Sequence, residues 1–175
     1  MNVVAIIEAR MGSTRLPEKT LMDLAGVTLL ERVVERIKLA KTVDEVVVAT
    51  SVNQKDNVIY DLCQAKSIHC FRGSEDDVLG RVYEPAKKYH ADVVVQSGAD
   101  CPFYDPELID LLVGIIKWGG YAYTANDMKL TFPEGIDAHV ICFNALEASA
   151  NEAKDPKERD DTPRFIWNHP ERFPI

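Results

Sequence analysis

What most constrains this 175-residue chain is an alternation of two kinds of segment. The runs "NVVAII", "EVVVAT", "IHCFRG", "ADVVVQSG" and "AHVICF" are short, β-branched and almost continuously apolar. Between them lie stretches with helical spacing. "LLERVVERIKLA" places Leu29, Leu30, Val33, Val34 and Ile37 on one face. "DNVIYDLCQA" and "DDVLGRVYEPAKKYH" read as helices, the second with a kink or break at Pro85. "DPELIDLLVGIIKWG" reads as a helix with Asp105 as cap and Pro106 at its first position, and "NALEASANEAK" as one with Asn144 as cap. Strands without a polar face must be covered on both sides, which calls for a mostly parallel sheet between two helical layers. The expectation is therefore a single three-layer α/β/α domain over residues 1–175. "KDPKERDDTP" reads as a charged loop within it, and there is no internal repeat or linker.

The formal net charge is -8. That balance argues against a nucleic-acid binder, which needs a basic face to neutralise phosphates. No apolar run reaches the length of a membrane-spanning helix, and "NVVAII" is too short for the core of a signal peptide, so the expected location is the cytoplasm. Cys63, Cys70, Cys101 and Cys142 form no C-x-x-C pair and read as buried thiols in a reducing compartment. The four histidines show no metal-ligand spacing.

Against this acidic background, the loop "ARMGSTRLPEK" after the first strand places Arg10, Arg15 and Lys19 within ten residues. Gly12 permits a tight turn, and Ser13 and Thr14 offer hydroxyls and backbone N–H groups. The arginines can fork onto phosphate oxygens and the lysine supplies a point charge, so the loop reads as an anion site. It is neither a Walker loop nor a dinucleotide fingerprint. The ordinary alternative is a strand-to-helix loop with solvated charges. In "VVVQSGADCPFYDPELID", Asp100 follows another strand. A carboxylate at such an edge can share a magnesium ion with substrate phosphates; the alternative is a loop or cap residue. Right-handed crossovers bring the loop after the first strand, the loop after "FRG" and the loop after "VVVQSG" to one edge of the sheet.

These segments together resemble the cytidylyltransferases that activate acidic sugars: the acylneuraminate and Kdo (3-deoxy-manno-octulosonate) CMP-sugar synthetases and the branch named for spore-coat polysaccharide biosynthesis. "EARMGSTRLPEK" resembles their opening motif, "VVVATS" their second strand, "FRGSEDDVLGRV" the spore-coat Gly-Ser-x-x-Asp-Val-Leu motif and "GADCPFYDPELID" the metal-carboxylate segment. "FPEGIDAHVICFNAL" and "PRFIWNHPERF" echo the later, sugar-side segments.

The resemblance implies a nucleotide-diphospho-sugar transferase-like fold. It implies transfer of CMP from CTP to an acidic sugar with release of pyrophosphate, for surface or spore-coat polysaccharide synthesis. Arg10, Arg15 and Lys19 would clamp the triphosphate, with Gly12 and Ser13 lining it, and Asp100 would hold Mg2+. Arg15, Lys19 and Asp100 would be the catalytic set. Arg72, Gly73 and Ser74 would enclose the nucleoside, and Asn126, Glu134 and Asp137 would lie towards the sugar. Arg81 reads as a surface helix residue. A homodimer through the later strands is the expectation from relatives.

Several positions depart from the family pattern. Glu18 stands where many relatives have Gly, Gln96 where the spore-coat branch often has Arg, and His139 where Glu is usual. "ERDDTPRFI" replaces a Glu-His-Val-Thr-type segment. Relatives continue past the "NPERF"-like stretch to a second acidic metal ligand, so weak turnover is the expectation for this chain. Two rival readings accompany the first. One is a nucleotide-binding relative without turnover. The other is a nucleotide-sugar glycosyltransferase, which would carry an Asp-x-Asp motif absent here.

Overall fold

The computed structural model describes residues 1–13, 16–129, 131–133 and 135–175. The apolar runs form the strands β1 (Val3–Glu8), β4 (Glu45–Ser51), β5 (His69–Gly73), β6 (Val93–Gly98) and β8 (His139–Cys142). Three short strands join them: β2 (Asp23–Leu24) and β3 (Val27–Thr28), which pair only with each other, and β7 (Tyr123–Ala125). The six-stranded sheet has the order β5-β4-β1-β6-β8-β7. Its pairings are parallel from β5 through β6 and antiparallel at β6–β8 and β8–β7.

Helices α1 (Leu29–Ile37), α2 (Asn57–Ala65) and α4 (Pro106–Trp118) cover one face. There Val3, Ala5, Ile7, Val46, Val48, Val93 and Val95 meet Leu30, Val33, Ile37, Ile59, Ile109 and Leu112. On the other face Val4, Ile6, Val47, Ala49 and Val94 meet α3 (Val78–Lys88), α5 (Phe143–Glu152) and α7 (Arg164–Asn168) through Leu79, Val82, Leu146, Phe165 and Ile166. Each strand residue buries one face or the other, which is why these runs show no polar alternation.

Helix ends follow local chemistry. Thr28 and Glu31 close a reciprocal capping box at α1. Asp105 caps α4 with Pro106 in its first turn, as its sequence predicts. Three expectations need correction. Of the kink or break expected at Pro85, the break does not occur: α3 runs on through it, the proline removing a single N–H while the flanking Val82, Tyr83 and Ala86 stay buried. Asn144 lies inside α5, whose cap position is Cys142. "KDPKERDDTP" holds a short helix, α6 (Pro156–Asp160), capped by the Asp155 carboxylate.

Strands β4 and β6 flank β1, so the chain passes from β1 towards one edge of the sheet and from β6 towards the other, by way of helices on the same face. Loops diverge at such a switch point and open a crevice at the carboxyl ends of the strands. No helix among the described residues is long and apolar enough to cross a membrane.

Candidate active site

A cleft of about 370 Å³ lies at that switch point, lined by Glu8, Arg10, Gly12, Ser13, Lys19 and Thr20 after β1, by Gly98, Ala99 and Asp100 after β6, by Val78 and Arg81 of α3, and by Asp160 of α6. Thus two loops distant in sequence supply its edge, and helix α3 supplies a wall.

The loop after β1 is fastened from both sides. Thr20 donates its hydroxyl to the Arg10 carbonyl at 3.0 Å. The buried Asp56 accepts the Met11 N–H at 2.8 Å and the Ser51 hydroxyl at 2.5 Å, tying the loop to the end of β4. A buried carboxylate needs such donors, and here they fix the backbone on which Arg10 and Gly12 sit. Lys55 stands beside Gly12, and a Cβ on that glycine would come within 3.0 Å of its Nζ. Sequence reasoning missed both Asp56 and Lys55. Asp56 sits in the polar run "NQKDN", where a carboxylate reads as solvated unless the preceding strand end is seen to need a tether.

Lys19 crosses the cleft and donates from Nζ to Asp100 Oδ2 at 2.5 Å. Burial pushes the Asp100 carboxyl up, but the Lys19 hydrogen bond and charge outweigh that push and hold it below its ordinary value. A Cβ on Gly98 would come within 2.8 Å of Asp100 Oδ1, so the bare glycine leaves room for this carboxylate. The donor chemistry fits magnesium shared with substrate: Asp100 offers a hard carboxylate at the strand-end edge of the cleft, with phosphate oxygens and water completing the shell. Among the described residues no three His, Cys, Asp or Glu side chains gather into a self-sufficient metal site.

Glu8, the last residue of β1, forms part of the floor. Gln96 Nε2 donates to its Oε1 at 2.6 Å, and Arg81 lies 3.9 Å from its Oε2. Burial pushes this carboxyl up to about 7, while Gln96, Arg81 and Arg10 pull it down and Asp161 adds to the rise. Arg81 is 4% exposed, contrary to its reading as a surface residue. Its guanidinium donates to the Ser74 and Glu75 carbonyls at 2.5 and 3.1 Å, so it braces the loop after β5.

Other predicted site residues fall elsewhere. Arg72 folds back onto the end of β4, donating to the Ser51 and Asn53 carbonyls at 3.0 and 3.1 Å, and does not line the cleft. Gly73 and Ser74 line a neighbouring cavity of about 250 Å³ behind Arg81. Asn126 is a buried brace: its Oδ1 accepts the Ala138 N–H at 2.8 Å and its Nδ2 donates to the Ile136 carbonyl at 3.3 Å. Asp137 accepts the Gly135 N–H at 3.3 Å and lies outside the cleft lining. The predicted roles of Arg15 and Glu134 fall outside the described residues. Two of the departures find partners: Gln96 holds Glu8, and His139 shares a 2.5 Å hydrogen bond with the Tyr123 hydroxyl. Burial pushes the His139 imidazole down, against the pull of Asp127, Asp137 and Asp161.

A crevice where the strand order of a parallel sheet reverses, edged by a cationic glycine loop and the Asp100 carboxylate, is the setting of a nucleotidyltransferase-type site. The Cytidylyltransferase family model matches residues 4–158, and the chain belongs to that family. It is 33% identical over 179 aligned residues to the spore coat polysaccharide biosynthesis protein SpsF of Bacillus subtilis, covering 99% of this chain and 73% of that one. It is 37% identical over 120 residues to the 3-deoxy-manno-octulosonate cytidylyltransferase of Anaeromyxobacter dehalogenans, over 67% of this chain and 48% of that protein. The solved structure of a cytidylyltransferase from Leptospira borgpetersenii superposes with a TM-score of 0.92 at 31% identity, over 99% of this chain and 74% of the other.

Proposed function

We propose that residues 1–175 act as one cytidylyltransferase domain that transfers CMP from CTP to an acidic sugar, with magnesium and with release of pyrophosphate, in the cytoplasm and for surface or spore-coat polysaccharide synthesis. The observation that carries this reading is the Lys19–Asp100 contact across a cleft whose other edge is the Gly12 loop. It sets a cation for phosphate beside a carboxylate for a metal–phosphate complex, which in-line transfer at the α-phosphorus requires.

In this reading Arg10 and Lys19 meet the charge of the triphosphate. Gly12 lets phosphate approach the backbone, and Ser13 offers its hydroxyl. Asp100 would hold magnesium, which when bound neutralises the leaving pyrophosphate. Such transfer asks the protein for position and electrostatics more than for covalent steps. The rigid placement of the Met11 backbone by Asp56 serves that demand. The sugar side is assigned to the β7–β8 connection, where Asn126 and Asp137 fix the backbone next to Asp127 and His139.

A nucleotide panel tests this. In thermal unfolding with magnesium, CTP at about 100 times its Kd should stabilise the chain by about 2.7 kcal/mol, with smaller shifts from ATP, GTP and UTP. Equal shifts with all four, or a preference for UTP, would count against the cytidylyltransferase reading.

A further inference from the structure

The cleft has two ends. At its outer edge, beyond the strand ends, lie Lys19, Asp100 and the Gly12 loop. Its floor on the α3 side holds Glu8, with Val78 and Arg81 of α3 as the wall. With Arg10, Lys19 and the Gly12 loop at the edge to meet the triphosphate, the floor is left to the nucleoside. Val78 gives that end an apolar surface for a ring.

The two oxygens of Glu8 are in different situations. Oε1 is held by Gln96 at 2.6 Å. Among the described residues Oε2 accepts no hydrogen bond; the side chain is partly exposed, and the Arg81 guanidinium stands 3.9 Å from Oε2. Arg81 is anchored through Nη1 to the Ser74 and Glu75 carbonyls, with its Nη2 3.9 Å from Glu8 Oε2 and beyond hydrogen-bond reach. One carboxylate oxygen therefore waits on the cleft for a donor while Gln96 fixes its direction. A carboxylate oxygen without a donor is unfavourable where water is partly excluded, and burial pushes this carboxyl up to about 7.

We propose that Glu8 reads the base: its free oxygen accepts a hydrogen bond from the exocyclic amine of cytosine and repels the carbonyl oxygen that uracil carries at the same position. The assignment rests on the CTP reading above and adds the residue that separates the two pyrimidines. A site built around a donor rejects the analogue that lacks it, because the buried acceptor is then left unpaired. Gln96 acts as the positioning residue, through Glu8.

Calorimetry with magnesium–CTP and magnesium–UTP at pH 8, where Glu8 is ionised, tests the assignment. The parent chain should prefer CTP at least tenfold. Glu8→Gln keeps the shape, removes the charge and can turn its amide towards either base, so the preference should fall below about threefold, with UTP binding retained or improved. Glu8→Asp keeps the charge on a shorter arm. It should weaken CTP binding without improving UTP binding, which provides a readout if the Gln variant fails to fold by circular dichroism. A Glu8→Gln chain that keeps the full preference, or loses both nucleotides equally, overturns the assignment and leaves Glu8 a structural residue. Equal binding of CTP and UTP by the parent overturns it as well. A parent that binds neither nucleotide removes the CTP reading itself, and the assignment with it.

Discussion

Lys19 Nζ and Asp100 Oδ2 lie 2.5 Å apart, joining the loop after β1 to the loop after β6 across 81 residues of sequence. The pair spans the switch point of the sheet and sets the charge at the edge of the cleft. Lys19→Ala should weaken CTP binding by about 1.5–3 kcal/mol, the size of a hydrogen bond to a charged group. The fold should survive, since Lys19 opens a single short 3₁₀ turn and both partners are partly exposed. Calorimetry alongside circular dichroism measures both. Asp100→Asn keeps the shape and removes the charge, and should abolish the part of CTP binding that depends on magnesium. A variant that responds to magnesium like the parent would exclude Asp100 as the metal carboxylate.

The charged floor makes stability depend on pH through Glu8. Its folded pKa, about 7, lies above the ordinary 4.5, so the folded state binds the proton more tightly than the unfolded chain. That contribution is fully present below 4.5 and is lost as pH rises through 7. The difference amounts to about 3 kcal/mol for a carboxyl shifted this far. Arg81, Arg10 and Asp161 face the same group, and His139, whose imidazole is pushed down, adds an opposite slope below its ordinary 6.5. Comparing the parent with Glu8→Gln cancels those other groups. In urea titrations at pH 5 and pH 8, the variant should gain on the parent by up to about 3 kcal/mol at pH 8. An unchanged difference between the two pH values would place Glu8 in a water-like setting.

Glu18 adopts φ 59° and ψ 13°, the left-handed region. The family resemblance implies glycine at this position in many relatives, and a left-handed backbone suits that expectation. A side chain there costs about 1–2 kcal/mol, and glycine avoids the clash. Glu18→Gly should therefore stabilise the chain by about 1 kcal/mol, less the backbone entropy that glycine adds to the unfolded state. Thermal unfolding should show a rise of a few degrees. A fall would mean that the Glu18 carboxylate makes a contribution larger than its backbone strain.

Asp56 is fully buried and holds both the Met11 N–H and the Ser51 hydroxyl. Asp56→Ala leaves both donors without their acceptor and should cost about 3 kcal/mol of stability. Because the tether positions the Gly12 loop, CTP affinity should fall at temperatures where the variant remains folded. Intact CTP affinity in a destabilised variant would show that the loop keeps its shape without the tether.

The central sheet was legible because burial on both faces leaves near-continuous apolar runs such as "NVVAII" and "ADVVVQSG". The pairing of Lys19 with Asp100 was legible as chemistry, a cation loop and a strand-end carboxylate, though not as a direct contact. Glu8 escaped notice because the first polar residue after an apolar strand reads as the start of a loop, and its meeting with Gln96 and Arg81 is set by sheet register and helix packing. Arg81 carried a usable signal: it lies three residues after Val78 and four before Pro85, both buried, so helical spacing alone puts it on the inner face. The short β7 and helices α6 and α7 were hidden by their length. Three to five residues carry too little periodicity to distinguish an element from a turn.

Transfer itself is the most direct test. The chain, magnesium and CTP labelled at the α-phosphorus should be incubated with a panel of acidic sugars, including 3-deoxy-manno-octulosonate and nonulosonates, and the products resolved by mass. Cytidylyl transfer predicts that the label appears in a CMP-sugar and that one pyrophosphate is released for each label transferred, with UTP a poor substitute. Label that stays in CTP with every sugar in the panel, or that moves from UTP as readily as from CTP, would contradict it.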